Sequence, residues 1–138
     1  MEIGFWLFML LMALLIPVIM AAFGVVCQKN PPQNINSWYG YRTRRSMASP
    51  EAWAFAHRAC GRIWRRCGVV MLPVSALLLL PVFGRDVAVV GLWTCVLVTV
   101  QCVVLIATIF PVERELKRNF DLSGHRIARD DLENKKNL

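Results

Sequence analysis

The segment VAVVGLWTCVLVTVQCVVLIATIF, Val87 to Phe110, contains no Asp, Glu, Lys, Arg or His. At about 1.5 Å per helical residue it is long enough to cross a hydrocarbon layer roughly 30 Å thick. A charged side chain near mid-bilayer costs at least about 2.5 kcal/mol on the insertion scale, which makes such a run in a basic chain a strong membrane signal. Upstream, Ile3 to Gln28 and Cys67 to Gly84 lack the same five residue types. With 57% hydrophobic residues in 138, the chain carries more apolar surface than a water-soluble core of that size can hide. The expected fold class is an all-α integral membrane protein, a single membrane domain with spans at about 3–28, 67–84 and 87–112. The first run starts Met1-Glu2 without a basic residue and exceeds the apolar core of a signal peptide, so it is expected to stay attached.

Orientation follows from the sixteen Lys and Arg. Lys29, Arg42, Arg44, Arg45, Arg58, Arg62, Arg65 and Arg66 lie between the first two spans. Arg114, Lys117, Arg118, Arg126, Arg129, Lys135 and Lys136 follow the third, and Arg85 alone lies between the second and third. Short loops rich in Lys and Arg stay cytoplasmic, so the expected topology is N-terminus out and C-terminus in, in a bacterial inner membrane. The inner loop then covers 29–66 and the cytoplasmic tail 113–138. Gly84-Arg85-Asp86 forces spans two and three into a tight hairpin whose helices are expected to pack side by side. Pro17, Pro73 and Pro81 are expected to kink their spans.

Within the inner loop, Gln28 to Ser49 reads as irregular chain with turns, containing Pro31-Pro32, several Asn and Gly40. A helix over about 50–66 follows: Ser49 is a good N-cap, Pro50 suits the first helical position and Glu51 complements the dipole. At 100° per residue Trp53, Ala56, His57, Cys60, Trp64, Cys67 and Met71 share one face, opposite Glu51, Arg58, Arg62, Arg65 and Arg66. This pattern predicts a cytoplasmic amphipathic juxtamembrane helix lying on the membrane, with Arg58, Arg62, Arg65 and Arg66 as membrane-surface residues. The alternative is that these arginines form a specific anion-binding pocket for lipid headgroups or an acidic partner. The tail is expected to begin as a helical extension of span three and to loosen after Ser123-Gly124.

Asn36-Ser37-Trp38-Tyr39-Gly40-Tyr41-Arg42-Thr43-Arg44-Arg45-Ser46-Met47, followed by Trp53, His57, Gly61 and Gly68, resembles the SdpI family of bacterial multipass membrane proteins. The resemblance runs from Asn36 to the end of span three and is most specific over Gly40 to Met47 with Trp53. It implies immunity against a membrane-active peptide toxin, with recruitment of a cytoplasmic regulatory protein as a second role. By motif it carries over Asn36, Gly40, Tyr41, Arg42, Thr43, Trp53 and His57 as ligand- or partner-binding residues. Longer members carry additional N-terminal spans, and the resemblance is to the compact version.

Taken alone, Gly40 between two tyrosines supplies a turn, and Trp38, Tyr39 and Tyr41 read as interfacial aromatics. Arg42 presents a planar fork suited to a carboxylate, a phosphate or helix C-terminal carbonyls. His57 on a Trp-bearing face is more often a hydrogen-bonded structural histidine than a base, and Asn36 reads as a loop-closing residue.

A small transporter or accessory subunit is the alternative function. The spans offer only Gln101, Thr94, Thr99, Thr108 and Ser75 as polar groups, however, which disfavours ion-coupled transport. His57, Cys60 and Glu113 are the candidate groups for a membrane enzyme, but no nucleophile, metal-hydrolase or phosphate-loop motif accompanies them, so no catalytic residue is expected. Cys27, Cys60, Cys67, Cys95 and Cys102 lack the spacing of a zinc site and read as free thiols. No cofactor or metal is expected. The net charge of +7 is explained by topology, and the tail mixes Asp130, Asp131 and Glu133 with its basic residues, which argues against nucleic acid. Small residues such as Ala21, Ala22, Gly24 and Gly91 allow close helix approach, leaving a homo-oligomer open.

Overall fold

The computed structural model describes residues 2–127. The described chain is helical: α1 (Glu2–Lys29), α2 (Pro50–Leu79), a 3-10 turn (Leu80–Val82), α3 (Val87–Ala107) and α4 (Ile109–Asn119). Among the described residues, three helices are long and apolar enough to cross a membrane. Their outer faces expose large apolar side chains such as Leu11, Leu77, Leu92 and Val103, as lipid-facing helices do.

The longest interface joins α1 to α2. On α1 the buried residues Trp6, Ala13, Pro17, Met20, Gly24 and Cys27 recur every three, four or seven positions, one stripe of a helix that is otherwise apolar all round. On α2 the facing stripe is Gly61, Gly68 and Ser75 at seven-residue spacing. The backbones nearly touch: a β-carbon at Gly24 would lie 2.5 Å from Arg65 N, and one at Gly68 would lie 2.5 Å from Ala21 N. Small residues permit this approach where lipid tails give apolar side chains no incentive to associate. Gly91, which carries the same sequence signal, meets nothing.

α3 packs against α1, and its backbone comes close to α2 at few points. The expected side-by-side hairpin is therefore replaced by an arrangement in which long side chains bridge α2 and α3. Trp93 Nε1 donates to Leu78 O at 2.8 Å, and Gln101 Nε2 donates to Ser75 Oγ at 2.8 Å. Gln101 Nε2 also donates to Ala13 O at 2.9 Å. That carbonyl is the one left without its helical donor by Pro17, four residues on, so α3 supplies the hydrogen bond that proline removed from α1. α1 and α2 run uninterrupted through Pro17 and Pro73, and α2 ends where Pro81 enters the 3-10 turn. At this end of α2 the Leu79 carbonyl accepts from Trp6 Nε1 at 3.0 Å.

Opposite the Gly84 turn, the bundle carries a polar headpiece. Ser49 caps α2 as its sequence suggests, its hydroxyl accepting from Ala52 N at 3.0 Å. The expected juxtamembrane helix is not a separate element, since it continues without a break into the second span. Nor does its apolar face lie open to a membrane surface. Ala52, Ala56, Ala59 and Cys60 pack on Val112, Leu116 and Phe120 of the α4 region. Amphipathicity records that one side avoids water without saying whether lipid or protein covers it.

The chain past α4 stays hydrogen-bonded through Ser123-Gly124 as far as Ile127, and the rest of the expected loosening lies outside the described residues. Asp121 N and Ile127 N donate to His125 O and Asn119 O, forming a small hairpin. Gly124 O accepts from Ser49 Oγ at 2.7 Å, Arg45 Nη1 donates to Phe120 O at 2.8 Å, and Arg126 pairs with Glu51 at 3.2 Å. The tail basic residues Arg129, Lys135 and Lys136 lie outside the described residues.

Candidate functional site

The loop between α1 and α2 is built around Asn36, whose Oδ1 accepts from the backbone N–H groups of Trp38 and Tyr39, both at 3.0 Å. This side-chain-closed turn leaves Trp38 and Tyr39 exposed, 87% and 58%. Gly40 follows with φ +104°, a left-handed conformation, and a β-carbon there would overlap Nε2 of His57. Two independent constraints thus require glycine.

The overlap exists because His57 holds the next peptide. Its Nε2 accepts from Tyr41 N at 3.0 Å, while Nδ1 lies 2.8 Å from Trp53 O. An acceptor role at Nε2 places the proton on Nδ1, so the ring is neutral with both nitrogens occupied. It is fully buried. The four arginines Arg58, Arg62, Arg65 and Arg66 follow it on α2, so the membrane-crossing part of that helix begins beyond them and the imidazole lies outside it. Burial holds the imidazole below its ordinary value, against the Trp53 carbonyl, which favours the proton.

Trp53, also fully buried, supports this clamp by packing at a tilt of 48° against His57 with ring centroids 4.3 Å apart and donating from Nε1 to Pro32 O at 2.8 Å. The Tyr41 hydroxyl donates to Glu113 Oε1 of α4 at 2.9 Å. Burial and this carboxylate push the phenol well above its ordinary value and keep it a neutral donor. Beyond it, Thr43 and Ser46 exchange hydrogen bonds: Thr43 N donates to Ser46 Oγ at 2.8 Å and Ser46 N to Thr43 Oγ1 at 3.2 Å.

Arg42 stands apart from this network. It is exposed, Nη1 donates to Ser37 O, and its other guanidinium donors point to no acceptor among the described residues.

The loop roofs a cavity of about 590 Å3. Gly40, Tyr41, Arg42, Thr43 and His57 line it at the headpiece end, with Cys60 and Trp64 of α2. Its far wall is Ile19, Phe23 and Cys27 of α1 with Leu105, Ile106 and Ile109 of the α3–α4 segment. Trp64 Nε1 is engaged by Thr108 Oγ1 at 3.0 Å.

Five of the seven residues carried over by motif are therefore brought together at one cavity. Asn36 and Trp53 do not reach it and instead shape the loop. Of the surface arginines, Arg62 pairs with Glu115 at 3.0 Å, and all four are exposed. Cys60 and Trp64 were legible as sharing the His57 face. The α1 wall carries no sequence signal, because α1 is apolar on every side. No group of three or more His, Cys, Asp or Glu among the described residues is placed to hold a metal.

Residues 33–112 match the model of the SdpI/YfhL protein family. A protein of Bacillus subtilis (strain 168), named uncharacterized protein YfhL, is 38% identical over 60 residues, covering 44% of this chain and 54% of that one. The chain thus matches about half the length of that curated relative. No solved structure matches. The α1 wall of the cavity, Ile19 to Cys27, lies outside the matched residues.

Proposed function

The chain belongs to the SdpI/YfhL protein family, and on that premise we propose that it protects a bacterial cell against a membrane-active peptide toxin by binding it, without catalysis. The observation that carries this reading is the clamp of Gly40, Tyr41 and His57, which holds the most specific part of the motif in one conformation. It leaves Arg42, Trp38 and Tyr39 projecting as a cationic and aromatic contact surface at the headpiece end. A rigid loop bearing exposed aromatic side chains and an arginine has the composition of an interaction hot spot. The buried groups beside it are committed to structure, with both nitrogens of His57 occupied, which supports binding over chemistry.

In this reading the protein sits in the bacterial cytoplasmic membrane with the N-terminus outside and the headpiece inside, supported by the basic residues gathered at that end. The peptide partitions into the bilayer and is met at the inner boundary. Recruitment of a cytoplasmic regulatory protein would use the same exposed loop. Transport has less support: the described spans bury Gln101, Ser75, Thr94 and Thr108 as polar groups, and none of these four is ionisable.

The test is Arg42→Lys, which preserves charge and insertion but not the planar donor fork. Cells expressing the wild-type chain, challenged with a panel of membrane-active peptides, should survive and retain membrane potential. The Lys variant should accumulate normally and protect about five- to tenfold less, the worth of roughly 1 kcal/mol at an exposed contact. Equal protection by the variant would reduce Arg42 to a topology charge, and no protection by the wild type against any peptide would remove the immunity reading.

A further inference from the structure

The cavity beneath the motif loop has a direction. Ile19 and Cys27, both on its α1 wall, are eight residues apart, so the wall runs about 12 Å along the helix from the polar headpiece toward the charge-free part of the bundle. Its deep end is Ile19, Phe23, Leu105 and Ile106, wholly apolar. Ile19, Ile106 and Ile109 are 51%, 61% and 42% exposed, so the gap between α1 and the α3–α4 segment opens sideways onto the lipid-facing surface.

Polar capacity is confined to the other end, where the exposed Tyr39 hydroxyl and Thr43 stand beside side chains already engaged. His57 uses both nitrogens, Tyr41 donates to Glu113 and Trp64 donates to Thr108. The guanidinium of Arg42 keeps donors beyond the one given to Ser37 O, and it stands where the loop meets the cavity. An extended peptide or a sugar entering this space would leave its own polar groups unpaired at about 1–3 kcal/mol each. An acyl chain asks for no hydrogen bonds, and its anionic headgroup would meet the arginine.

We propose that this cavity is a lateral binding site for an anionic glycerophospholipid, one acyl chain lying between α1 and α3 and the phosphate at Arg42. The assignment concerns the same loop as the protection reading but does not require the toxin.

The probe is a phosphatidylglycerol with a photoactivatable diazirine on its acyl chain, present as a trace component with the full chain in phosphatidylcholine nanodiscs. Adducts mapped by mass spectrometry should concentrate on Phe23, Leu105 and Ile106 relative to Leu11, Leu92 and Val103. Unlabelled phosphatidylglycerol should compete better than phosphatidylcholine, and Arg42→Gln should shrink that preference roughly five- to tenfold. Ile106→Trp, at an exposed position on the mouth, should suppress the cavity adducts while helicity and particle size stay unchanged. Adducts spread evenly over the lipid-facing residues, or unaltered by Ile106→Trp in a folded protein, would overturn the site. Displacement by oleate but not by phosphatidylglycerol would overturn its assignment to a phospholipid. Cavity labelling without peptide protection would remove the toxin reading alone, and protection without cavity labelling the lipid site alone.

Discussion

The imidazole of His57 joins two chain segments sixteen residues apart by accepting the backbone N–H of Tyr41 at 3.0 Å, and Gly40 is the residue that lets the loop come close enough for it to do so. The most specific stretch of the motif is thus held by a side chain on α2. Arg42, two residues past Gly40, inherits its position from that contact.

Gly40→Ala is therefore expected to be costly for two reasons at once, a left-handed backbone at φ +104° and a collision with the ring. The combined effect should be on the order of 1–3 kcal/mol and confined to the loop, because the α1–α2 interface does not depend on it. Limited proteolysis between residues 30 and 49 should accelerate about five- to a hundredfold in the variant with helicity retained. Unchanged cleavage would show that the clamp does not hold the loop.

The same contact makes the headpiece sensitive to acid. The folded pKa of His57 is depressed by burial, so the unfolded chain, near 6.5, binds the proton more readily. The clamp's contribution is then complete above about pH 6.5 and is lost as pH falls through that value toward the folded one. Thermal unfolding in detergent should show a lower Tm at pH 5 than at pH 7.5, and His57→Gln should flatten the difference. A Tm that rises on acidification would contradict a neutral acceptor at Nε2.

In the bundle, Gln101 donates to the Ala13 carbonyl that Pro17 leaves unserved. Gln101→Leu should nevertheless cost under about 1 kcal/mol, because hydrogen bonds between membrane helices average near 0.6 kcal/mol and Gln101 Oε1 is itself buried without a partner. Pro17→Ala returns a backbone donor to that carbonyl, and in this background the Gln101→Leu cost should shrink. Strict additivity in a double-mutant cycle would sever the link between the two residues.

The contacts of Arg45 and Ser49 with the 120–127 segment require the first loop and the hairpin after α4 to share one side of the membrane. With the charge bias, that side is expected to be the cytoplasm. Single-cysteine variants at positions 2, 36, 86 and 125, in a cysteine-free background, should react with an impermeant maleimide in intact cells only at 2 and 86. Labelling at 36 and 125 alone would invert the topology, and labelling at 36 together with 86 would break the headpiece apart.

By itself the sequence determined what the bilayer dictates: three charge-free membrane-crossing segments, because charge near mid-bilayer is expensive, and a helix start at Ser49-Pro50-Glu51, because capping is a matter of a few neighbouring residues. Gly40 as a turn, Asn36 as a loop-closing residue and His57 as a structural histidine were readable from residue chemistry in the same local way. The tertiary structure decided what covers each apolar face. The side of α2 bearing Trp53, His57 and Cys60 avoids water equally well against lipid or protein, and only the positions of α4 and the motif loop put protein there. It likewise selected Gly24, Gly61 and Gly68 over Gly91, set Gln101 against the carbonyl freed by Pro17, and completed the cavity with Ile19, Phe23 and Cys27. α1 is apolar on every side, so which of its residues would face α2, α3 or lipid depended on partners distant in the chain.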